Sequence, residues 1–210
     1  MRLSRNRWIL AAGVTGTALA VVVTGAVAAS AAQETPTTSQ DALARKASAV
    51  ASNAEAPPAP AAVGTVVDAG FAAKEGSWVI YAVPVAEKSL PGTHFGVMTG
   101  RRLPGGAIAA GVLANEFEGS DRAPGFHAVQ AGMNVDGEQT MAFGYYVGDA
   151  TKITATAGGK TVTAKQAAWS ESAEVKFFWF GPATPAVGDL KAFDSAGQAL
   201  ATGNGAVGVG

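Results

Sequence analysis

The chain has 210 residues, with 15 basic and 16 acidic side chains, a formal charge of −1, two histidines and no cysteine. That length allows one domain with appendages, at a prior of about 100 to 200 residues per domain. The missing cysteine excludes disulfide stapling, lipobox lipidation and cysteine-based zinc sites, and without a basic excess there is no nucleic-acid-binding face.

MRLSRNR carries three arginines and no acid, and no charged side chain follows from Trp8 to Ala32. A basic start before an apolar run is the pattern of an export signal. As a helix the run would be about 38 Å long, enough to cross about 30 Å of hydrocarbon. Residues 1–32 therefore suit either a cleaved signal peptide or an N-terminal membrane anchor. The run ends in AVAASAAQ, whose small residues at alternating positions, Ala29 and Ala31 or Ser30 and Ala32, suit signal peptidase. No two of the arginines adjoin, which argues against twin-arginine export.

Residues 33–61 are rich in Ala, Ser, Thr, Gln and Pro and hold no aromatic residue. Such a segment buries too little apolar surface to order itself, so a disordered linker is expected. Three of the fifteen basic residues precede Trp8, so the chain from Gln33 carries 12 of them against all 16 acids, a formal −4.

Residues 62–210 are expected to form an all-β domain, an antiparallel β-sandwich of immunoglobulin-like or related type. VGTVVDA, WVIYAVPV, THFGVMT, FHAVQAG and QTMAFGYYV are strand candidates bounded by Gly, Pro, Asn or Asp. Pro84 in WVIYAVPV marks a strand end or an edge. AIAAGVLANEFEG, within residues 107–118, fits a helix or a strand; the strand is preferred because its neighbours are β and Gly111 weakens a helix.

TKITATAGGKTVTAKQ reads as a hairpin turning at Gly158 and Gly159, with one wet face. In EVKFFWFGP, alternation sends Val175, Phe177 and Trp179 to one face, expected to be core, and Lys176, Phe178 and Phe180 to the other. Because that second face begins at a lysine, Phe178 and Phe180 are either covered by a loop or form an exposed patch on which a partner stacks. LKAFDSAGQALATG reads as a second hairpin, opened by Asp194 and closed by Gly197. About 148 residues bury roughly 68–70% of their unfolded surface, enough for a sandwich without disulfides.

Catalytic signals are sparse. His94 and His127 are the only histidines, and no G-x-S-x-G elbow exists; EGSDR is the nearest text. His127 with Ser120, Asp121 or Glu116 is the one arrangement that could make a hydrolase, because a triad is defined by geometry and not by order. Asn115, Glu116, Glu118 and Asp121 offer oxygens to calcium, although their spacing matches no EF-hand loop. Glu116 and Glu118 would share one face of a strand as paired carboxylates. LPGTH and LATG depart from wall-sorting signals and lack the apolar segment and basic tail that such signals need. Arg101 and Arg102, in TGRRLPGG, form a small basic spot suited to an anion. Ligand-binding candidates are thus Phe178, Phe180, Arg101 and Arg102; no catalytic or metal-binding residue and no cofactor is assigned.

Across GSDRAPGFHAVQ, FGYYVGDATKITATAGGKTVTAKQAAWSE, FFWFGP and LKAFDSAGQALATGNG, from Gly119 onward, the chain resembles exported proteins of actinobacterial type. These are small β-rich domains behind an Ala-rich signal and linker. The resemblance implies location and fold class and carries over no functional residue. The expected role is an exported, non-enzymatic interaction module of the cell envelope or extracellular space. Its partner would be an envelope protein or glycan, with a possible membrane tether through residues 8–32. An exported hydrolase using His127 is the alternative.

Overall fold

The structure, a computed structural model, describes residues 59–208. The expected signal or anchor and most of the linker lie outside the described residues. Every regular element among the described residues is a strand. β1 (Val63–Ala72), β2 (Ser77–Pro84), β3 (Phe95–Arg102) and β4 (Ile108–Asn115) form an antiparallel meander in chain order, the first sheet. The segment open to either a helix or a strand is therefore a strand, and Pro84 closes β2.

β5 (Gly125–Gln130) leaves the first sheet, and β6 (Asn134–Val135) with β7 (Glu138–Gln139) makes a short ribbon before β8 (Ala142–Val147). β9 (Lys152–Ala157) and β10 (Lys160–Thr163) follow, then β11 (Lys165–Trp169), β12 (Ser172–Phe180) and β13 (Val187–Phe193). The second sheet has the order β11-β12-β8-β5, and the third has the order β10-β9-β13. Both are antiparallel.

Local chemistry sets the turns. Ala157 pairs with Lys160 across Gly158 and Gly159, whose φ values of +55° and +74° match the two positive φ angles of a type I′ hairpin turn. The Asp194 carboxylate accepts the amides of Ala196 and Gln198, and Phe193 bridges Ala199, so the second expected hairpin forms too.

Packing follows from alternation along β12. Val175, Phe177 and Trp179 join Trp78, Ile80, Phe95 and Val97 of the first sheet and Phe143 and Tyr145 of β8. Phe178 and Phe180 turn the other way and pack with Phe126 and Tyr146, and with Ile153, Ala155, Leu190 and Ala192 of the third sheet. The second sheet is thus covered on both faces, by the first sheet on one and the third on the other. Each such buried large side chain contributes about 1.5–3 kcal/mol of transfer free energy. Phe126 and Phe178 meet edge to face at 5.5 Å. Two indoles pin β1 to this body: Trp169 Nε1 donates to the Val63 carbonyl (2.9 Å) and Trp179 Nε1 to that of Ala69 (3.0 Å).

The segment 202–208 lies along β5 in parallel, bridging Gly203 to Phe126 and Gly208 to Gln130. Gly203 (φ +54°) passes so close to Gly125 that a Cβ on either would strike the other's backbone.

Candidate functional site

Residues 116–124 carry the chain from β4 in the first sheet to β5 in the second. A crossing at the end of two packed sheets exposes most of its side chains, and Phe117, Glu118 and Ser120 are exposed. Two acids behave differently: Glu116 is 2% exposed and Asp121 is fully buried. Buried carboxylates persist only with partners, and the partners define the cluster.

His127 projects from β5 opposite Tyr145 of β8, and the two rings stack at 5.0 Å with planes 12° apart. Its Nδ1 lies 2.9 Å from Glu116 Oε2, and its Nε2 lies 2.6 Å from the Ala123 carbonyl oxygen. A carboxylate and a carbonyl only accept, so both ring nitrogens donate and the ring is an imidazolium paired with Glu116. Glu116 Oε1 accepts from the Phe117 amide (3.1 Å) and from Asn204 Nδ2 (2.9 Å). Asp121 Oδ2 accepts the His94 amide (2.7 Å) and faces His94 Nδ1 at 3.3 Å. The Tyr145 hydroxyl donates to the Asp121 carbonyl at 3.1 Å, and Asp121 Oδ1 is buried without a hydrogen-bond partner.

Burial alone would raise the Glu116 carboxyl, but hydrogen bonds from His127, Asn204 and the Phe117 amide together hold it below its ordinary value. Burial likewise pulls the His127 imidazolium down, and this is outweighed by the bonds to Glu116 and the Ala123 carbonyl and by the charges of Glu116 and Asp121, which raise it. Burial pushes the Tyr145 hydroxyl up, reinforced by Asp121 and Glu116 and opposed by Arg122.

A general base needs a ring nitrogen free to take a proton. Neither nitrogen of His127 is free. Ser120 Oγ accepts the Arg122 amide at 3.1 Å, within its own turn. His94 is mostly exposed and turned to Asp121. The expected calcium ligands are divided: Glu116 serves His127 and Asn204, Asn115 Nδ2 donates to the Glu116 carbonyl (3.0 Å), and Glu118 is exposed. Glu116 and Glu118 do not share an environment, because β4 ends at Asn115, one residue short of Glu116. Among the described residues no three His, Asp or Glu side chains converge as metal ligands.

Phe178 and Phe180 are 0% and 3% exposed, so of the two alternatives for this face the exposed stacking patch is corrected; both rings are covered, by the third sheet and not by a loop. Arg101 and Arg102 end β3. Arg101 reaches Glu138 at 3.6 Å, a half-buried pair, and Arg102 is exposed. The structure does not bring these arginines together with the phenylalanines.

Two features went unread in the sequence. Asn204 comes to Glu116 from 88 residues away, with no local pattern to announce it. Leu113 and Phe117 are 43% and 53% exposed, on β4 and just past its end. No family model, curated protein or solved structure matches the chain.

Proposed function

We propose that the protein is an exported, non-enzymatic module that binds an extended polypeptide of the cell envelope along the edge of β4. The fold is read as a β-sandwich related to the immunoglobulin type, with the third sheet as an added layer. The carrying observation is the contrast between β4 and the edges at β5, β11 and β13. IAAGVLAN has no charged residue, pairs only with β3 among the described strands, and displays Leu113, with Phe117 exposed just past the strand's end. Free edges are ordinarily blunted by lysine, proline, or a covering segment. β5 is covered by 202–208, β11 begins at Lys165, and β13 carries Asp189 and Lys191.

The unpaired side of β4 offers N–H and C=O groups to a strand on both sides of the bulge at Gly111 and Val112, with Leu113 and Phe117 as apolar contacts. Backbone N–H and C=O groups along an edge are completed by another polypeptide strand, so a protein partner is favoured over a glycan. The closed hydrogen bonding of His127 supports this reading over a hydrolase. Export through residues 1–32 belongs to the same proposal.

Its test is photocrosslinking from a reactive residue placed at Ala110 of the full chain, in the cells that make it, with a reactive residue at the exposed Lys160 as control. A discrete adduct with one envelope protein from position 110, lost on Leu113→Lys, is expected. Equal labelling from both positions, or none from 110, overturns the proposal.

A further inference from the structure

The segment 202–208 combines two properties that seldom coincide. It fills a sheet edge with good backbone geometry: the Phe126 amide donates to the Thr202 carbonyl (3.0 Å), Asn204 to Phe126 (2.8 Å), Gly208 to Val129 (2.8 Å) and Ala131 to Gly208 (2.9 Å). Yet it brings almost no apolar side chain, since TGNGAVG offers only Val207 to the core cluster beneath. A strand held by hydrogen bonds without apolar burial is among the first parts of a fold to open.

Its one side-chain tie to a charged group is Asn204 Nδ2 on Glu116 Oε1. Glu116 is oriented for that bond by His127, whose other nitrogen is fixed on the Ala123 carbonyl. We propose that residues 202–208 are a pH-releasable strap over the β5 edge, locked through Asn204 by the Glu116–His127 ion pair. Deprotonation takes the proton from Nε2, which faces a neutral carbonyl, and leaves its lone pair 2.6 Å from the Ala123 oxygen. Repulsion then moves the ring off that carbonyl, and Glu116, left buried without its countercharge, no longer holds the acceptor of Asn204 in place.

Among the described residues, the groups around His127 come from the crossing, β8 and the loops beside them. Glu116 and Asp121 come from the crossing, and both favour the charged ring. Tyr145 of β8 stacks on it and stays a neutral phenol. His94 reaches only Asp121, and Arg122 lies over Phe95 and Trp169 and acts on Tyr145.

With the His127 pKa raised and the Glu116 pKa lowered in the folded, strapped state, the lock is complete below the imidazole's ordinary value and above the carboxyl's. It is lost as pH rises through the raised one. Opening exposes the β5 edge without disturbing β8, β12 or the core between the first two sheets.

Hydrogen–deuterium exchange of the full chain at pH 6, 7.5 and 9, with labelling times scaled to intrinsic rates, tests the strap. Protection at Asn204 and Gly208 should fall between pH 6 and 9 by about tenfold for each unit by which the lock raises the His127 pKa, while the β8 amides hold constant. Asn204→Ala, a change at an exposed position, should lower protection at pH 6 and abolish the pH dependence. Gly203→Val, which forces the segment off Gly125, should strip protection from the strap at every pH. Strap amides that track β8 at all three pH values overturn the proposal, as does an Asn204→Ala variant that keeps the wild-type pH response.

Discussion

Strand β12 and the two acids of the crossing, Glu116 and Asp121, are kept from water by opposite means. Phe177, Phe178, Trp179 and Phe180 are excluded from water by area, against the first sheet on one side and the third on the other. Glu116, Asp121 and His127 are excluded by direction, each through short hydrogen bonds. Area is indifferent to protons, and direction is not. The difference divides the molecule into a body whose stability ignores pH and a corner whose stability follows it.

The largest effect that probes this division is Phe178→Ala, which should cost about 3–5 kcal/mol by urea unfolding. The cost should be the same from pH 5 to pH 9; a cost that varies with pH would falsify the separation. Glu116→Ala comes next, at about 3 kcal/mol near neutrality, because it strands a buried imidazolium. Here the sign of each titration matters. The His127 pKa is raised, so its contribution is present below the unfolded value and disappears as pH rises through the folded one. The Glu116 pKa is lowered, so its contribution is present above the unfolded value and disappears as pH falls through the folded one. Wild-type stability should therefore peak between the two, and unfolding of Glu116→Ala across the same range should give a flatter profile. Smallest is Trp179→Phe, at about 1–2 kcal/mol and without pH dependence. It removes one indole bond to Ala69 while Lys165 Nζ, 3.2 Å away, still satisfies that carbonyl.

The body was far more legible in the sequence than the corner. Period-two alternation and the Gly158-Gly159 turn announce strands and a hairpin, because they are local properties of consecutive residues. The same rule split β12 into its two faces. What misled was Lys176 as a marker of solvent for the whole second face. Its Nζ bonds the Ala173 carbonyl at the outer end of the strand (2.7 Å), while Phe178 and Phe180 lie further in, beneath the third sheet. Ile153, Ala155 and Ala157 already made an apolar face in need of a cover, and pairing it with that of Phe178 points to a third layer. The polar cluster had no such signature. Glu116, His127 and Asn204 meet through topology, and the Ala123 carbonyl that occupies Nε2 has no side-chain identity to read.

The placement of the indoles has a spectroscopic consequence. Trp78, Trp169 and Trp179 are buried together between the first two sheets, and the strands of the third sheet contain no tryptophan. Intrinsic fluorescence of the folded body therefore reports one interface and is blind to the other. With no cysteine anywhere in the chain, a single one placed at the exposed Thr161 gives the silent layer a label of its own. Two colours can then tell whether the layers come apart together or in turn.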